Sequence, residues 1–175
     1  GKFSGGINTI KNGDFGKLYI EDGEFLNSTQ ATLLNWNYAE INGGTFKPTN
    51  NATDAVITGL WKDKNYDTEG KTIITGGDFY GAISLYDETL YPGKALNGDT
   101  TISGGTFYSD VSKYLISGYN VAKINDTYEV VKDGEKIDVI EWNEDPSIYI
   151  AASLLPAKIL AVDIKEEEKF AQVIV

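Results

Sequence analysis

Thr101-Ile102-Ser103-Gly104-Gly105-Thr106-Phe107 decides the fold, because its core phrase occurs four more times in the chain. The copies run Ile10 to Phe15, Ile20 to Phe25, Ile41 to Phe46, Ile74 to Phe79 and Ile102 to Phe107. Each is an Ile, two residues, a Gly, one residue and a Phe, and the residue before the Gly is Asn, Asp or Gly. A recurring phrase implies a recurring structural unit. Asn-Gly, Asp-Gly and Gly-Gly let the backbone take positive φ at little cost. The flanks Lys17 to Glu21, Thr32 to Ile41, Thr72 to Ile74, Ala82 to Tyr86 and Thr100 to Ile102 are strand-like.

Two architectures compete for this pattern. Each Gly pair is either a two-residue hairpin turn in an antiparallel meander, or a corner in a coil of strands whose turns stack. The Phe-to-Phe spacings of 10, 21, 33 and 28 residues are irregular, yet mostly suit one turn of a coil with loop insertions. The Ile-to-Phe offset is five, and an odd offset on an unbroken strand sends two side chains to opposite faces. If both face one core, the Gly must turn the chain between them, as a corner does. The coil is favoured. The expected fold is mainly β: a short right-handed parallel β-helix (solenoid) over residues 1–133, then a small C-terminal α+β KH-like fragment over 134–175.

Composition removes much chemistry. The 175 residues contain no Cys, His, Met or Arg, so all 15 cations are Lys, against 26 acids and a net charge of −11. Zinc sites of the usual ligands, Ser-His and Cys-His pairs and redox dithiols are therefore excluded. No guanidinium fork exists for phosphate or carboxylate. The negative charge opposes nucleic-acid backbones, so nucleic acid is an unfavoured partner. No apolar run approaches 18 residues, and no membrane-spanning helix is expected. Zero cysteine fits a reducing cytoplasm and a bacterial surface equally.

The run Thr101 to Phe107, followed by Tyr108-Ser109-Asp110-Val111-Ser112-Lys113-Tyr114-Leu115 and Gly118-Tyr119-Asn120-Val121-Ala122-Lys123, resembles β-helical repeat segments of gut Firmicutes surface and adhesin-like proteins. The resemblance covers about residues 1–133. It implies an extracellular or cell-surface setting and an end cap at about 108–133. In that cap Ser109 or Asp110 would start a short helix through Leu115. Strands Tyr119–Ile124 and Thr127–Val131 would pair around Asn125-Asp126.

From Gly134 the texture changes, and Gly-x-Phe stops. Glu144-Asp145-Pro146 reads as a helix start, Ile148, Ala151, Ala152 and Leu155 as its apolar face, and Pro156 as its stop. Lys158 to Ile164 and Phe170 to Val175 alternate as strands. Gly134-Glu135-Lys136-Ile137-Asp138, Glu141-Trp142-Asn143-Glu144-Asp145-Pro146, Leu155-Pro156-Ala157-Lys158 and Glu166-Glu167-Glu168-Lys169 resemble the NusA family of bacterial transcription factors, where one KH domain meets the next. The Gly-x-x-Gly loop by which a KH domain clamps RNA is not among these residues. With 4 Lys against 9 acids, the segment reads as a poor RNA binder. A surface-type repeat beside a piece of a cytoplasmic factor fits a natural fusion, an engineered chimera or an assembly artefact alike.

Candidate sites are few. Asp63, Asn65 and Asp67 have the opening spacing of a calcium loop, but Thr68 and Ile74 stand where its Gly and closing acid belong. A polar surface insertion is the competing reading, and Ca²⁺ is the one cofactor considered. Trp36, Tyr38, Trp61, Tyr66, Tyr80, Tyr86 and Tyr91 are candidates for stacking on sugar rings, with Trp36, Trp61 and Tyr66 put first. Trp36 and Tyr38 share a strand face with Leu34, which favours core or edge packing, whereas Trp61 begins the insertion Leu60 to Gly70. Acid pairs such as Asp87-Glu88 would suit a glycosidase but arise by chance in so acidic a chain, and no catalytic residue is assigned. The expected function is a non-catalytic cell-surface module for structural display or for binding a glycan or host or cell-surface protein. RNA or transcription association through the tail and a carbohydrate-active β-helix enzyme are the alternatives. Edge strands at the first turn leave room for a homo-oligomer.

Overall fold

The structure is a computed structural model describing residues 1–13, 15–50, 53–63, 66–86, 95–134, 136–140, 161–165 and 170–174. The last three stretches and residues 63, 66, 67, 95 and 97 are described at the backbone only. It is mainly β, and most of its strands lie in three parallel sheets. The Phe sheet holds β1 (Lys2–Ser4), β4 (Glu24–Leu26), β7 (Thr45–Lys47), β11 (Asp78–Phe79) and β15 (Thr106–Phe107). The Ile sheet holds β3 (Lys17–Ile20), β6 (Tyr38–Ile41), β10 (Lys71–Ile74) and β14 (Asp99–Ile102). The third sheet holds β2 (Asn8–Asn12), β5 (Ala31–Asn35), β8 (Asp54–Asp63) and β12 (Ala82–Leu85). The chain passes from third sheet to Ile sheet to Phe sheet four times in the same order.

The repeated phrase is the corner between the Ile and Phe sheets. Its Gly takes φ of +148° at Gly23, +99° at Gly44, +111° at Gly77 and +109° at Gly105, a region that L side chains resist. The next residue's amide donates to the Gly carbonyl one level back: Thr45 N to Gly23 O, Asp78 N to Gly44 O and Thr106 N to Gly77 O at 2.8–2.9 Å. Because the corner turns the chain, Ile and Phe both face inward. Ile20, Ile41, Ile74 and Ile102 stand in one register column, and Phe25, Phe46, Phe79 and Phe107 in another. Ile10, Leu33, Val56 and Ile83 form the column from the third sheet, and the three columns meet in one core.

The first copy departs from this scheme. Ile10 lies in the third sheet opposite Leu33, and Phe15 is 76% exposed. Ten residues separate Ile10 from Ile20, against 21 to 33 between the later copies, and ten cannot traverse all three sheets. The member that precedes Phe25 in the column is Phe3, stacked on it at 5.5 Å and 6°, with Gly1 O accepting from Glu24 N at 2.8 Å. Gly1-Lys2-Phe3 thus supplies the Gly-x-Phe that precedes Gly23-Glu24-Phe25 in the column.

The strand expected over Thr32 to Ile41 breaks after Asn35, at the corner leading to the Ile sheet. That corner is lined by buried amides and hydroxyls. Asn12 Nδ2 donates to Asn35 Oδ1 and to Tyr38 O, both at 2.8 Å, and Asn35 Nδ2 donates to Thr72 Oγ1 at 2.8 Å. Thr58 and Thr72 hydroxyls meet at 2.7 Å, and Thr100 donates to Thr58 at 2.8 Å. Asn12, Asn35, Thr58, Thr72 and Thr100 thus each have a partner, which is what makes their burial tolerable.

The end expected near 108–133 takes the following form. The helix is a single 3₁₀ turn, Ser112–Tyr114, whose Ser112 amide donates to Asp110 Oδ1 at 2.9 Å. The Tyr114 hydroxyl reaches Ile83 O at 3.0 Å, and Leu115 bridges to Ile102. β16 (Tyr119–Ile124) and β17 (Thr127–Lys132) form a hairpin about Asn125, whose φ is +54°. β17 adds antiparallel to β15 and ends the parallel run. In the tail, β18 (Lys136–Ile140), β19 (Ala161–Lys165) and β20 (Phe170–Ile174) pair antiparallel in the order β18-β20-β19. The expected helix between Glu144 and Leu155 lies outside the described residues.

Candidate functional site

Trp36 follows Asn35 out of the third sheet and is 9% exposed. Its ring lies 4.5 Å from Tyr86 and 5.6 Å, edge-on, from Trp61. The register Asn35↔Thr58↔Leu85 puts Trp36, Gly59 and Tyr86 in successive places of one column. Gly59 contributes no side chain between the two rings. A Cβ there would lie 2.7 Å from Trp36 Cε3 and 2.9 Å from Tyr86 Cβ. Trp36 is a packing residue in this arrangement, joined by Leu34, Ile57 and Ala31.

Trp61 is partly buried on the far half of β8, which leaves the parallel sheet. This half pairs antiparallel with β9 (Tyr66–Asp67) and β13 (Ala95–Asn97). Thr68 fastens it, its hydroxyl accepting from Trp61 N at 2.7 Å while its own amide donates to Trp61 O at 3.1 Å. Asp63 pairs with Tyr66 and Lys62 with Asp67 across the hairpin, which brings the backbones of Asp63, Tyr66 and Asp67 together. Asn65 and Tyr91 lie outside the described residues, as do the side chains of Asp63, Tyr66 and Asp67. Among the described residues no group of three Asp, Glu, His or Cys is placed to hold a metal ion. No helix among them is long and apolar enough to cross a membrane.

The outer faces of the other two sheets carry Tyr38 and Tyr80, which are among the sugar-stacking candidates, and beside them Tyr19 and Tyr108, which are not. Tyr19 alternates with inward Ile20 and is 58% exposed, so strand period alone would have found it. It sits 5.9 Å from Tyr38, with rings tilted by 52°. The Lys17 ammonium stands 5.7 Å over the Tyr38 ring and 3.5 Å from Glu69. Tyr38 donates its hydroxyl to Glu40 Oε2 at 3.2 Å. Desolvation first, and then the bond to Glu40, push the Tyr38 phenol above its ordinary pKa.

On the Phe sheet, Tyr80 and Tyr108 stack at 4.3 Å, and Lys47 caps Tyr80 at 4.9 Å. Tyr108 is 39% exposed. Its phenol is raised by the hydrogen bond with Tyr80, then by desolvation and by the charges of Asp78 and Asp126. These faces can present flat amphipathic rings beside fixed donors and acceptors.

No family model matches the chain, and no solved structure matches it. Similarity to curated proteins is confined to a short segment. The transcription termination/antitermination protein NusA of Halalkalibacterium halodurans is 55% identical over 42 residues, which are 24% of this chain and 11% of that protein. NusA of Bacillus subtilis is 50% identical over 42 residues, with the same coverage. The chain therefore spans about a tenth of the length of these relatives, and the similarity bears out the NusA-like reading of a fragment.

Proposed function

We propose that residues 1–133 form a short right-handed parallel β-helix that works as a non-catalytic, cell-surface display or binding module for an extracellular partner, with a glycan as the favoured partner. The β-helix reading rests on three parallel sheets visited in constant order and on inward Ile, Phe and aliphatic columns at matching registers. The hand follows from the strong preference of parallel crossovers for right-handed connections. The observation that carries the binding reading is the placing of Tyr19 and Tyr108 outward on sheets whose inward positions are already filled. Calorimetric titration of the full chain against soluble host and plant polysaccharides tests it. A saturable heat with at least one polymer is the expected result, and silence across the panel removes the glycan and leaves display.

A second reading has its own support in the NusA similarity. In it, residues 134–175 are part of a KH-like unit and the protein associates with RNA or the transcription machinery. The three antiparallel strands β18, β20 and β19 are compatible with that, while the excess of acids over Lys in the segment opposes it. A gel shift of single-stranded RNA by the full chain, weakening steeply with salt, would move the balance to this reading.

A further inference from the structure

We propose that the outer face of the Ile sheet, at Tyr19 and Tyr38, is a binding site for an uncharged pyranose-based glycan. This rests on the binding reading above and adds the site and the ligand class. The two tyrosines come from adjacent strands in a parallel register, with Lys17 opposite Tyr38 and Tyr19 opposite Glu40. Their rings, 5.9 Å apart and tilted by 52°, form one contiguous aromatic pair on the outer face. Tyr19 keeps more than half its surface in water, although its strand's inward face is packed.

The surrounding charge selects the occupant. Lys17 and Lys71 stand on either side of Tyr38 in one column, with Asp99 next along it. Lys17 is already beside Glu69, and Tyr38 is hydrogen-bonded to Glu40. Two ammoniums against the carboxylates of Glu40, Glu69 and Asp99 give no cationic patch, and the chain as a whole is at −11. A polyanion such as a polyuronate would meet net repulsion, and a polyamine would have two Lys to displace. An uncharged sugar meets neither obstacle. It offers C–H faces to the rings, and hydroxyls that accept from Lys17 and donate to Glu40 and Glu69. No Trp lies in this site, so tryptophan emission would not report on it.

Affinity electrophoresis of the full chain in gels containing hydroxyethylcellulose, xyloglucan or galactomannan, with polygalacturonate as the charged comparison, tests the proposal. Wild type is expected to be retarded by at least one uncharged polymer. Tyr19→Ala, at an exposed position and with an unchanged melting temperature, is expected to weaken that retardation at least tenfold. Tyr38→Phe, which keeps the ring but loses the bond to Glu40, is expected to weaken it less. Retardation lost in Trp61→Ala but intact in Tyr19→Ala would overturn this site and leave the binding reading standing. Retardation by polygalacturonate alone would overturn the ligand class. No retardation in any gel would overturn both the site and the glycan-binding reading on which it rests.

Discussion

At Gly59 a missing side chain is what allows Trp36 and Tyr86 to meet across an intervening strand. Gly59→Ala must move Trp36 or bend β8, because the new methyl would lie inside contact distance of the Trp36 ring and of Tyr86 Cβ. Overpacking of this kind costs about 1–3 kcal/mol. The expected outcome is a lower midpoint in urea, with a red shift in tryptophan emission as Trp36 gains water; an unchanged midpoint and spectrum would mean the cluster has slack that the geometry does not show. Residue-scale legibility was uneven. The positive φ of the repeat glycines follows from their neighbours in sequence, whereas Gly59 reads only as a weak point in a strand. Asn12 reads only as the residue before a repeat Gly, and Asn35 only as part of a strand. Their burial depends on partners 23 to 37 positions away, Asn35 and Thr72 among them, which no local pattern reveals. Phe15 and Phe3 look alike in composition, and only the ten-residue spacing to the next copy tells which of the two can reach the column.

At the scale of elements the columns carry the stability. Phe79 is fully buried between Phe46 and Phe107, each 4.8 Å away and within 9° of parallel. Phe3 has one such neighbour and is 55% exposed. Phe79→Ala is therefore expected to cost about 3–5 kcal/mol, since truncation there leaves a cavity with packed walls. Phe3→Ala is expected to cost about 1 kcal/mol, roughly what a single exposed stack provides. Thermal unfolding of the two variants side by side checks the ranking, and equal losses would contradict the column as the unit of packing. The strands themselves were largely legible. Alternation placed Lys17–Ile20, Lys71–Ile74 and Tyr119–Ile124 within a residue or so of the observed bounds. Apart from the hairpin of Tyr119–Ile124 with Thr127–Val131, which was expected and is present, the pairing partners were less legible, because register depends on corners and insertions rather than on the strand that carries them. Outward Tyr19 was readable from the same alternation; its nearness to Tyr38 depends on which strand lies alongside.

For the molecule as a whole, the two ends of the parallel sheets differ. One end is covered: β17 pairs along β15, Leu115 bridges to Ile102, and the Tyr114 hydroxyl closes on Ile83. At the other, β1, β2 and β3 are the last strands of their sheets, and Phe3, Ile7 and Phe15 are exposed. A repeat architecture gains stability from contacts between neighbours, so an element with one neighbour opens more easily than one with two. Native-state hydrogen exchange should therefore be fastest for Lys2–Ser4, slower for Glu24–Leu26 and slowest for Thr45–Lys47 and Asp78–Phe79. Protection should stay high at Thr106–Phe107, because the hairpin supplies the neighbour that the first strand lacks. Exchange at Lys2–Ser4 as slow as at Thr45–Lys47 would show that the first strand is covered in solution. If that protection also fell on dilution, the cover would be a second copy of the chain pairing along the free edges.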